Sequence, residues 1–194
     1  YAQISSARSV ELIRQAQLQG LPVTAGVAIH QLLFTESAIE GFDSAFHLQP
    51  PLRTEDDRQA LITGVVDGTI GAVCSDHQPL SAASKMAPFA ATEPGISGLQ
   101  TLLPLAVNVL LQNGMEKPQI AERLSSGPGG IVGEELSGLS VGSLADIVIF
   151  DPKAEVTLSR ENWLSGGINS PFLGQTLIGE VKATFVGGQQ VQGQ

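Results

Sequence analysis

The tripeptide Ser75-Asp76-His77 follows an apolar run and has residue types suited to catalysis or metal binding. In parallel α/β folds, the carboxyl ends of strands carry the catalytic groups. A carboxylate placed there, such as that of Asp76, can bind a metal ion or act as a general base on a metal-bound water. Asp is also common where strands end, because its side chain caps the following turn. The tripeptide alone therefore favours a turn-capping role for Asp76.

The histidines His30, His47 and His77 show no metal-ligand spacing. None forms a His-x-His pair, and none lies four residues from another on a predicted helix. A zinc site needs three or more ligands that converge on one point. Each histidine is therefore interpreted as a hydrogen-bonded loop residue.

Two further side chains have structural explanations beside functional ones. Cys74 lies inside the apolar run without a cationic neighbour in sequence, which indicates a buried and unreactive thiol. Arg53 follows the rigid corner Pro50-Pro51-Leu52 and could hold a carboxylate through two parallel hydrogen bonds. An ion pair of Arg53 with Asp56 or Asp57 explains this arginine equally well.

Composition and charge exclude several classes of protein. The chain has 194 residues, of which 42% are hydrophobic and 15% charged, so it can bury a core and is too apolar to be disordered. Its 22 glycines and 11 prolines predict many turns and argue against a simple helix bundle. The net charge of -9 repels phosphate backbones and argues against a nucleic-acid partner. The most apolar stretch, residues 99–111, is interrupted by Pro104 and Asn108, which argues against a membrane span.

The elements that must position these residues alternate as in a parallel α/β sheet or barrel. Helices are predicted at residues 6–20 and 54–68, and buried strands at residues 23–28 and 69–75. A long loop at residues 80–95 has the length of a functional lid. A helix kinked at Pro104 is predicted over residues 97–112, a shorter one over 118–124, and a turn in the glycine-rich segment 125–130.

From about Gly138 the sequence changes to short strand-like runs separated by Gly, Pro and Asn. The boundary of the α/β region is therefore expected between residues 133 and 143. Residues 1–135 are assigned to the α/β part and residues 136–194 to a small β-rich module. Short strands are predicted in that module at residues 144–150, 155–158, 175–178, 181–186 and 189–191. The single cysteine excludes an internal disulfide and indicates a cytoplasmic protein. Because Tyr1 opens the chain at the predicted end of a strand, a piece of a longer protein is expected.

Several segments, taken in order, carry a specific combination of residues. The segments are residues 3–10, 23–25, 30–33, 49–58, 67–70, 75–80, 94–99, 142–146 and 169–174, and they include Pro50-Pro51-Leu52-Arg53, Ser75-Asp76-His77 and Asn169-Ser170-Pro171-Phe172. The ordered series resembles the carboxyl-terminal half of a dihydroorotase of the longer bacterial type, in the amidohydrolase superfamily. The resemblance runs from Gln3 to about Val191. Each segment by itself is weak, whereas the whole series is specific.

The resemblance implies an α/β fold in which the carboxyl-terminal part of a (β/α)8 TIM-type barrel precedes the small β module. It implies a site with one or two zinc ions that interconverts dihydroorotate and carbamoyl-aspartate in pyrimidine synthesis. An aspartate at the end of the last barrel strand binds metal and moves the proton, and Asp76 occupies that position. The resemblance thus changes the interpretation of Asp76 from turn cap to metal ligand and catalytic residue. It also places Gln49, Arg53 and Leu80 at substrate-binding positions.

Departures from the family pattern fall on its site positions. Gln3 stands where the family usually has a metal-binding His, and a neutral amide is a poor zinc ligand. Gln49 replaces a substrate-binding Asn, and Leu80 replaces a substrate-binding His. Gln31 replaces the second His of a Pro-His-His motif, and Gly127-Pro128 replaces an Asn-Pro pair. These changes predict weak or absent zinc binding and impaired catalysis.

The pattern is most similar to non-catalytic dihydroorotase homologues of some proteobacteria, which partner aspartate transcarbamoylase and support its assembly. The first hypothesis is therefore an assembly partner of that enzyme, itself a homo-oligomer. The second is a working zinc dihydroorotase with Asp76 as metal ligand and proton carrier, around whose site the substitutions are neutral. A third is another amidohydrolase, such as a hydantoinase or allantoinase. Any His-x-His pair of the barrel is expected upstream of Tyr1, so the half-barrel alone should neither bind zinc nor turn over substrate.

Overall fold

The computed structural model describes residues 1–134 and 138–193 as an α/β structure with two sheets. The helices are α1 (Ala7–Leu18), α2 (Glu55–Asp67), α3 (Leu102–Gln112), α4 (Lys117–Leu124) and α5 (Ser126–Val132). The strands are β1 (Gly26–Ala28), β2 (Ala72–Cys74), β3 (Ile147–Thr157), β4 (Thr176–Val186) and β5 (Gln189–Gly193). No helix among the described residues has the length and apolar character needed to cross a bilayer.

Local signals explain the first two helices, which confirm the predictions. The hydroxyl of Ser6 accepts a hydrogen bond from the backbone of Ser9 at the start of α1, and Thr54 does the same for Asp57 at the start of α2. Gly68 ends α2 in the left-handed conformation, with φ of 90°. The apolar faces of α1 and α2 pack against each other and against the parallel strands.

β1 and β2 pair in parallel, with Gly26 opposite Ala72 and Ala28 opposite Cys74. The segment before α1 lies along the other edge of β1, since Ile4 donates its backbone N–H to Gly26 and Gly26 donates to Tyr1. Three segments of the chain therefore lie side by side, and the polar residues of their carboxyl ends meet at one edge of the sheet.

β3, β4 and β5 form an antiparallel sheet with β4 in the centre. The sequence predicts pairs of short strands here, but residues 147–157 and 176–186 form two continuous strands. The register of β3 shifts between Asp151 and Glu155, so the strand continues past Pro152. Helix α3 packs on β4, where Asn108 Nδ2 donates to the carbonyl of Ile178 at 2.5 Å. The expected boundary between residues 135 and 136 lies outside the described residues, so the division into two domains stays a prediction.

Two local predictions are wrong in the middle of the chain. In the glycine-rich segment 125–130, residues 126–130 belong to α5 rather than to a turn. Gly127 lets the helix backbone approach the residue before β2 closely, since a Cβ there would lie 2.4 Å from the carbonyl oxygen of Gly71. α3 begins at Leu102 rather than at residue 97, so Pro104 lies in its first turn, where a proline is tolerated. The loop at residues 80–95 and the helix near 118–124 are confirmed.

Candidate functional site

Four polar residues meet where the parallel segments end, and we call Gln3, His30, Asp76 and Gln78 the strand-end cluster. Gln3 Nε2 donates to Asp76 Oδ1 at 2.5 Å, and Gln78 Nε2 donates to the same oxygen at 3.1 Å. The other carboxylate oxygen, Oδ2, lies 4.0 Å from His30 Nε2. Asp76 is thus the centre of the cluster, since it is the residue that contacts the other three.

The backbone at both ends of the Gln3–Asp76 hydrogen bond is unusual. Gln3 has a φ of 53° and Asp76 a φ of 46°, which is the left-handed region that non-glycine residues rarely occupy. Such a conformation costs on the order of 1 kcal/mol and persists where the surrounding structure fixes it, often at functional sites. The paired strain marks this strand end as a built feature of the fold.

His30 corrects the prediction of a hydrogen-bonded loop residue. It lies in a 3-10 turn at Ile29–Leu32, its residue is 0% exposed, and neither ring nitrogen has a hydrogen-bond partner among the described residues. Burial lowers the pKa of His30 to about 4, and the nearby Asp76 carboxylate opposes this only in part. His30 is therefore a neutral imidazole at pH 7, and the 4.0 Å separation from Asp76 is too long for a hydrogen bond.

The other two histidines confirm the prediction. His47 Nδ1 is 2.7 Å from the hydroxyl of Thr92, and its ring lies against Phe89 with centroids 4.8 Å apart. His77 Nδ1 accepts the backbone N–H groups of Gly98 and Leu99, both at 3.2 Å. Both rings hold loops in place.

The predicted substrate positions lie apart from Asp76 in the hydrogen-bond network. Among the described residues, no hydrogen bond or ion pair joins Gln49, Arg53 or Leu80 to Asp76. Gln49 and Arg53 are exposed, and Leu80 is half-buried. The catalytic and metal-binding role of Asp76 and the substrate-binding roles of Gln49, Arg53 and Leu80 therefore stay predictions.

The ion pair considered for Arg53 is not formed. Neither Asp56 nor Asp57 lies within 4.0 Å of its guanidinium in the described structure. Asp57 instead accepts the backbone N–H of Ala7 at 2.7 Å and the hydroxyl of Thr54 at 2.8 Å. The carboxylate of Asp57 thus ties α1 to α2, and Arg53 stays available at the surface.

Gln31 and Cys74 have structural roles. The carboxamide of Gln31 is buried and donates to the carbonyls of Pro50 and Pro51 at 3.0 and 3.3 Å, which fixes the proline corner. Burial raises the pKa of the half-buried Cys74 thiol, which agrees with the expected unreactive side chain.

Sequence reasoning missed the part played by Asn169. Its side chain accepts the backbone N–H of Leu80 at 2.7 Å and donates to the carbonyls of Gln78 and Gly95 at 2.9 and 3.1 Å. Asn169 is 7% exposed. These three bonds, which we call the Asn169 brace, hold the loop that follows Asp76. The available signal was an Asn inside the segment Asn169-Ser170-Pro171-Phe172.

The residues of this chain do not by themselves fit a zinc site. Among the described residues, no group of three or more His, Cys, Asp or Glu side chains is arranged to hold a metal ion. His30 and Asp76 are the donors of the required type in the strand-end cluster, and Gln3 directs an N–H group at the Asp76 carboxylate. An N–H group cannot bind a cation, so the position of Gln3 lacks the chemistry of a ligand.

Comparison with curated proteins confirms the resemblance found in the sequence. No family model matches the chain. The chain is 49% identical over 188 residues to a dihydroorotase-like protein of Pseudomonas aeruginosa and 47% identical over 193 residues to one of Pseudomonas putida. It is 40% identical over 190 residues to a dihydroorotase of Pediococcus pentosaceus. These matches cover 97%, 100% and 97% of this chain, and it spans 44%, 45% and 45% of the relatives.

Solved structures agree on the fold. A dihydropyrimidinase of Brevibacillus agri superimposes with a TM-score of 0.90 at 24% identity, and an L-hydantoinase of Arthrobacter aurescens with 0.90 at 26%. Each match covers 99% of this chain and 44% of the other. The chain therefore has the α/β fold of part of a hydantoinase-like amidohydrolase, and corresponds to the carboxyl-terminal half of dihydroorotases and dihydroorotase-like proteins.

Proposed function

We propose that this chain, which corresponds to the carboxyl-terminal half of dihydroorotase-like proteins, comes from a catalytically impaired protein of pyrimidine biosynthesis. In this proposal the full-length protein acts in the cytoplasm as an assembly partner of aspartate transcarbamoylase and forms a homo-oligomer. The observation that carries the proposal is the hydrogen bond from Gln3 to Asp76.

The chemistry of the site supports impairment. Hydrolysis of a cyclic amide at a zinc site uses the metal to activate water and polarise the carbonyl, and a carboxylate to move the proton. Asp76 offers that carboxylate, but its Oδ1 accepts two carboxamide N–H groups, and Gln3 lies where a ligand would be needed. Leu80 offers no polar atom in its side chain toward a substrate. Because these losses act on one transition state, we expect activity to fall by orders of magnitude.

The pattern of similarity supports a relationship to dihydroorotase-like proteins. The two relatives named dihydroorotase-like protein are 49% and 47% identical to this chain, whereas the relatives named dihydroorotase are 36–41% identical. Among these relatives, the chain is thus more similar in sequence to the two named dihydroorotase-like protein.

The test uses the full-length protein, with zinc content, dihydroorotate turnover and complex formation measured on one preparation. We expect substoichiometric zinc, turnover far below that of a dihydroorotase assayed in parallel, and co-elution with aspartate transcarbamoylase after co-expression. One or two zinc ions per chain together with rapid turnover would contradict the impairment, and separate elution would contradict the partnership.

The alternative is a working zinc dihydroorotase, favoured by the position of Asp76 two residues beyond the end of β2. In that case the missing ligands come from the rest of the full-length protein. Asp76→Ala then abolishes turnover, with Asp43→Ala, an exposed aspartate, as the matched control. Residual turnover that is unchanged in Asp76→Ala would remove this residue from the mechanism.

A further inference from the structure

We propose that Gln3 and Gln78 form a metal-free lock on Asp76, in which carboxamide N–H groups, and not a metal ion, tie the strand ends together. The inference rests on the proposed function, since a site with a bound metal would not need the lock. Gln3 stands where the family usually has a metal-binding His. The proposal gives Gln3 a stabilising role in addition to the loss of that ligand.

The topology makes the Gln3–Asp76 bond a long-range tie. Gln3 belongs to the segment that pairs with one edge of β1, and Asp76 follows β2, which pairs with the other edge. The bond therefore spans β1 and joins two segments that are 73 residues apart in sequence. Gln78 closes the lock from the loop side, two residues beyond Asp76.

The buried charge of Asp76 explains why the two carboxamide hydrogen bonds are needed. The side chain of Asp76 is 6% exposed, and burying a carboxylate is costly unless donors surround it. His30 Nε2 lies 4.0 Å from Asp76 Oδ2, which is too far for the imidazole to donate a hydrogen bond to the carboxylate. The two carboxamides thus supply the hydrogen bonds that the carboxylate needs, and charged acceptors make such bonds strong.

The strained backbone at both residues indicates that the Gln3–Asp76 hydrogen bond stabilises this conformation. Gln3 and Asp76 both occupy the left-handed region, and the hydrogen bond joins these two side chains. Without the bond, each backbone is free to relax to a common conformation, and the strand ends can separate. The lock therefore holds the edge of the sheet in the shape that the family fold requires.

The experiment measures thermal unfolding of the full-length protein with Gln3→Met and Gln15→Met. Gln15 is an exposed carboxamide that donates to Glu11 at 2.7 Å, so it matches the chemistry of Gln3 without the burial. We expect Gln3→Met to lower the Tm by about 3 °C or more, and Gln15→Met to change it by about 1 °C or less. Gln3→Glu, which replaces the donor with a carboxylate of similar size, should lower the Tm further.

Two more measurements separate the lock from packing and from metal. Asp76→Ala in the Gln3→Met background should lower the Tm by less than Asp76→Ala alone, because the Gln3 bond is already absent and only the Gln78 bond remains to be lost. EDTA should leave the Tm of the unmodified protein unchanged. If Gln3→Met does not fold, Gln78→Leu reports the same lock with a smaller loss of Tm.

Equal Tm values for Gln3→Met and Gln15→Met, or a marked loss of Tm in EDTA, would overturn the lock. Failure of the proposed function shows elsewhere, as zinc-dependent turnover or absence of the transcarbamoylase complex. A lock that is confirmed in a protein without the transcarbamoylase complex would leave the inference standing and remove only the proposed partnership.

Discussion

The strand-end cluster and the Asn169 brace both bond residues of the short loop from Asp76 to Leu80, and their polar groups differ in how completely they are hydrogen-bonded. Both the oxygen and the nitrogen of the Asn169 carboxamide are hydrogen-bonded within the chain. In the strand-end cluster, both ring nitrogens of the buried His30 lack partners among the described residues. The brace is thus a finished structural element, whereas the cluster contains a group that calls for a further explanation.

The ring nitrogens of His30, unpaired in the described structure, point to the strand-end cluster, rather than the Asn169 brace, as the functional region. A buried polar atom without a partner costs about 1–3 kcal/mol, so folds retain such atoms where something else is gained. The brace holds the loop, and the cluster presents Asp76 and His30 at the strand ends. Both act on the residues between Asp76 and Leu80, so the comparison can be tested by breaking each side separately.

The largest expected effect is on the brace. Asn169→Leu leaves one N–H and two carbonyls without their partner, and we expect a loss of about 4 kcal/mol in the free energy of unfolding. Asn162→Leu is the control, because the exposed Asn162 also bonds backbone groups, at 2.8 Å, and water can replace it. Urea unfolding of the full-length protein measures both, and equal losses would mean that the brace is no more than a surface contact.

The second prediction concerns the buried His30 of the strand-end cluster and the pH dependence of stability. The pKa of His30 is about 4 in the folded protein and 6.5 in the unfolded chain, so the unfolded state binds more protons between these values. The contribution of neutral His30 is complete above pH 6.5 and is lost as the pH falls toward 4, by up to about 3 kcal/mol. We expect His30→Leu to flatten the stability of the full-length protein between pH 7 and pH 4.5.

His47→Leu is the control for that slope, since His47 is partly exposed and hydrogen-bonded to Thr92. A stability profile that is equally steep with and without His30 would show that its imidazole is solvated or paired in solution.

A smaller effect is expected at Gly167, which lies close to the backbone of the loop that follows Asp76. A Cβ on Gly167 would lie 2.6 Å from the backbone nitrogen of Leu80, whereas one on Gly166 meets nothing within 4 Å. We expect Gly167→Ala to cost about 2 kcal/mol and Gly166→Ala to be nearly neutral in the same unfolding measurement. Similar values for the two neighbours would mean that the loop shifts freely to make room.

The smallest loss of stability is expected at the cap of α2, which belongs to neither the strand-end cluster nor the Asn169 brace. Thr54→Ala removes the hydroxyl that caps α2, which we expect to cost about 1 kcal/mol. Thr35→Ala is the control, because Thr35 precedes a 3-10 turn without making a side-chain cap bond. A cost for Thr54→Ala as large as that for Asn169→Leu would erase the distinction between a surface cap and the buried brace.

Local physics made much of the fold predictable. The helix at residues 54–68 follows from the cap at Thr54 and the left-handed stop at Gly68, and neither depends on distant residues. The helical state of residues 126–132 was not predictable in this way. Glycine and proline favour a turn there, and the close approach to Gly71 that makes Gly127 suitable for a packed helix exists only after folding.

The candidate site was predictable in part for the same reason. The end of an apolar strand pointed to Asp76, and the ordered segments gave it a family role and marked Gln3 as a departure. The sequence gives no sign that Gln3, 73 residues away, donates to Asp76, or that Asp57 bonds Ala7 in place of Arg53.

The α/β class, the helix caps, the family relationship and the substituted positions follow from residue types and their order. The burial of His30 without a hydrogen-bond partner in the described structure, the two carboxamides on Asp76 and the Asn169 brace do not follow from that order. Burial and long-range hydrogen bonds depend on which segments pair in space, and that pairing is set by the packing of the whole core.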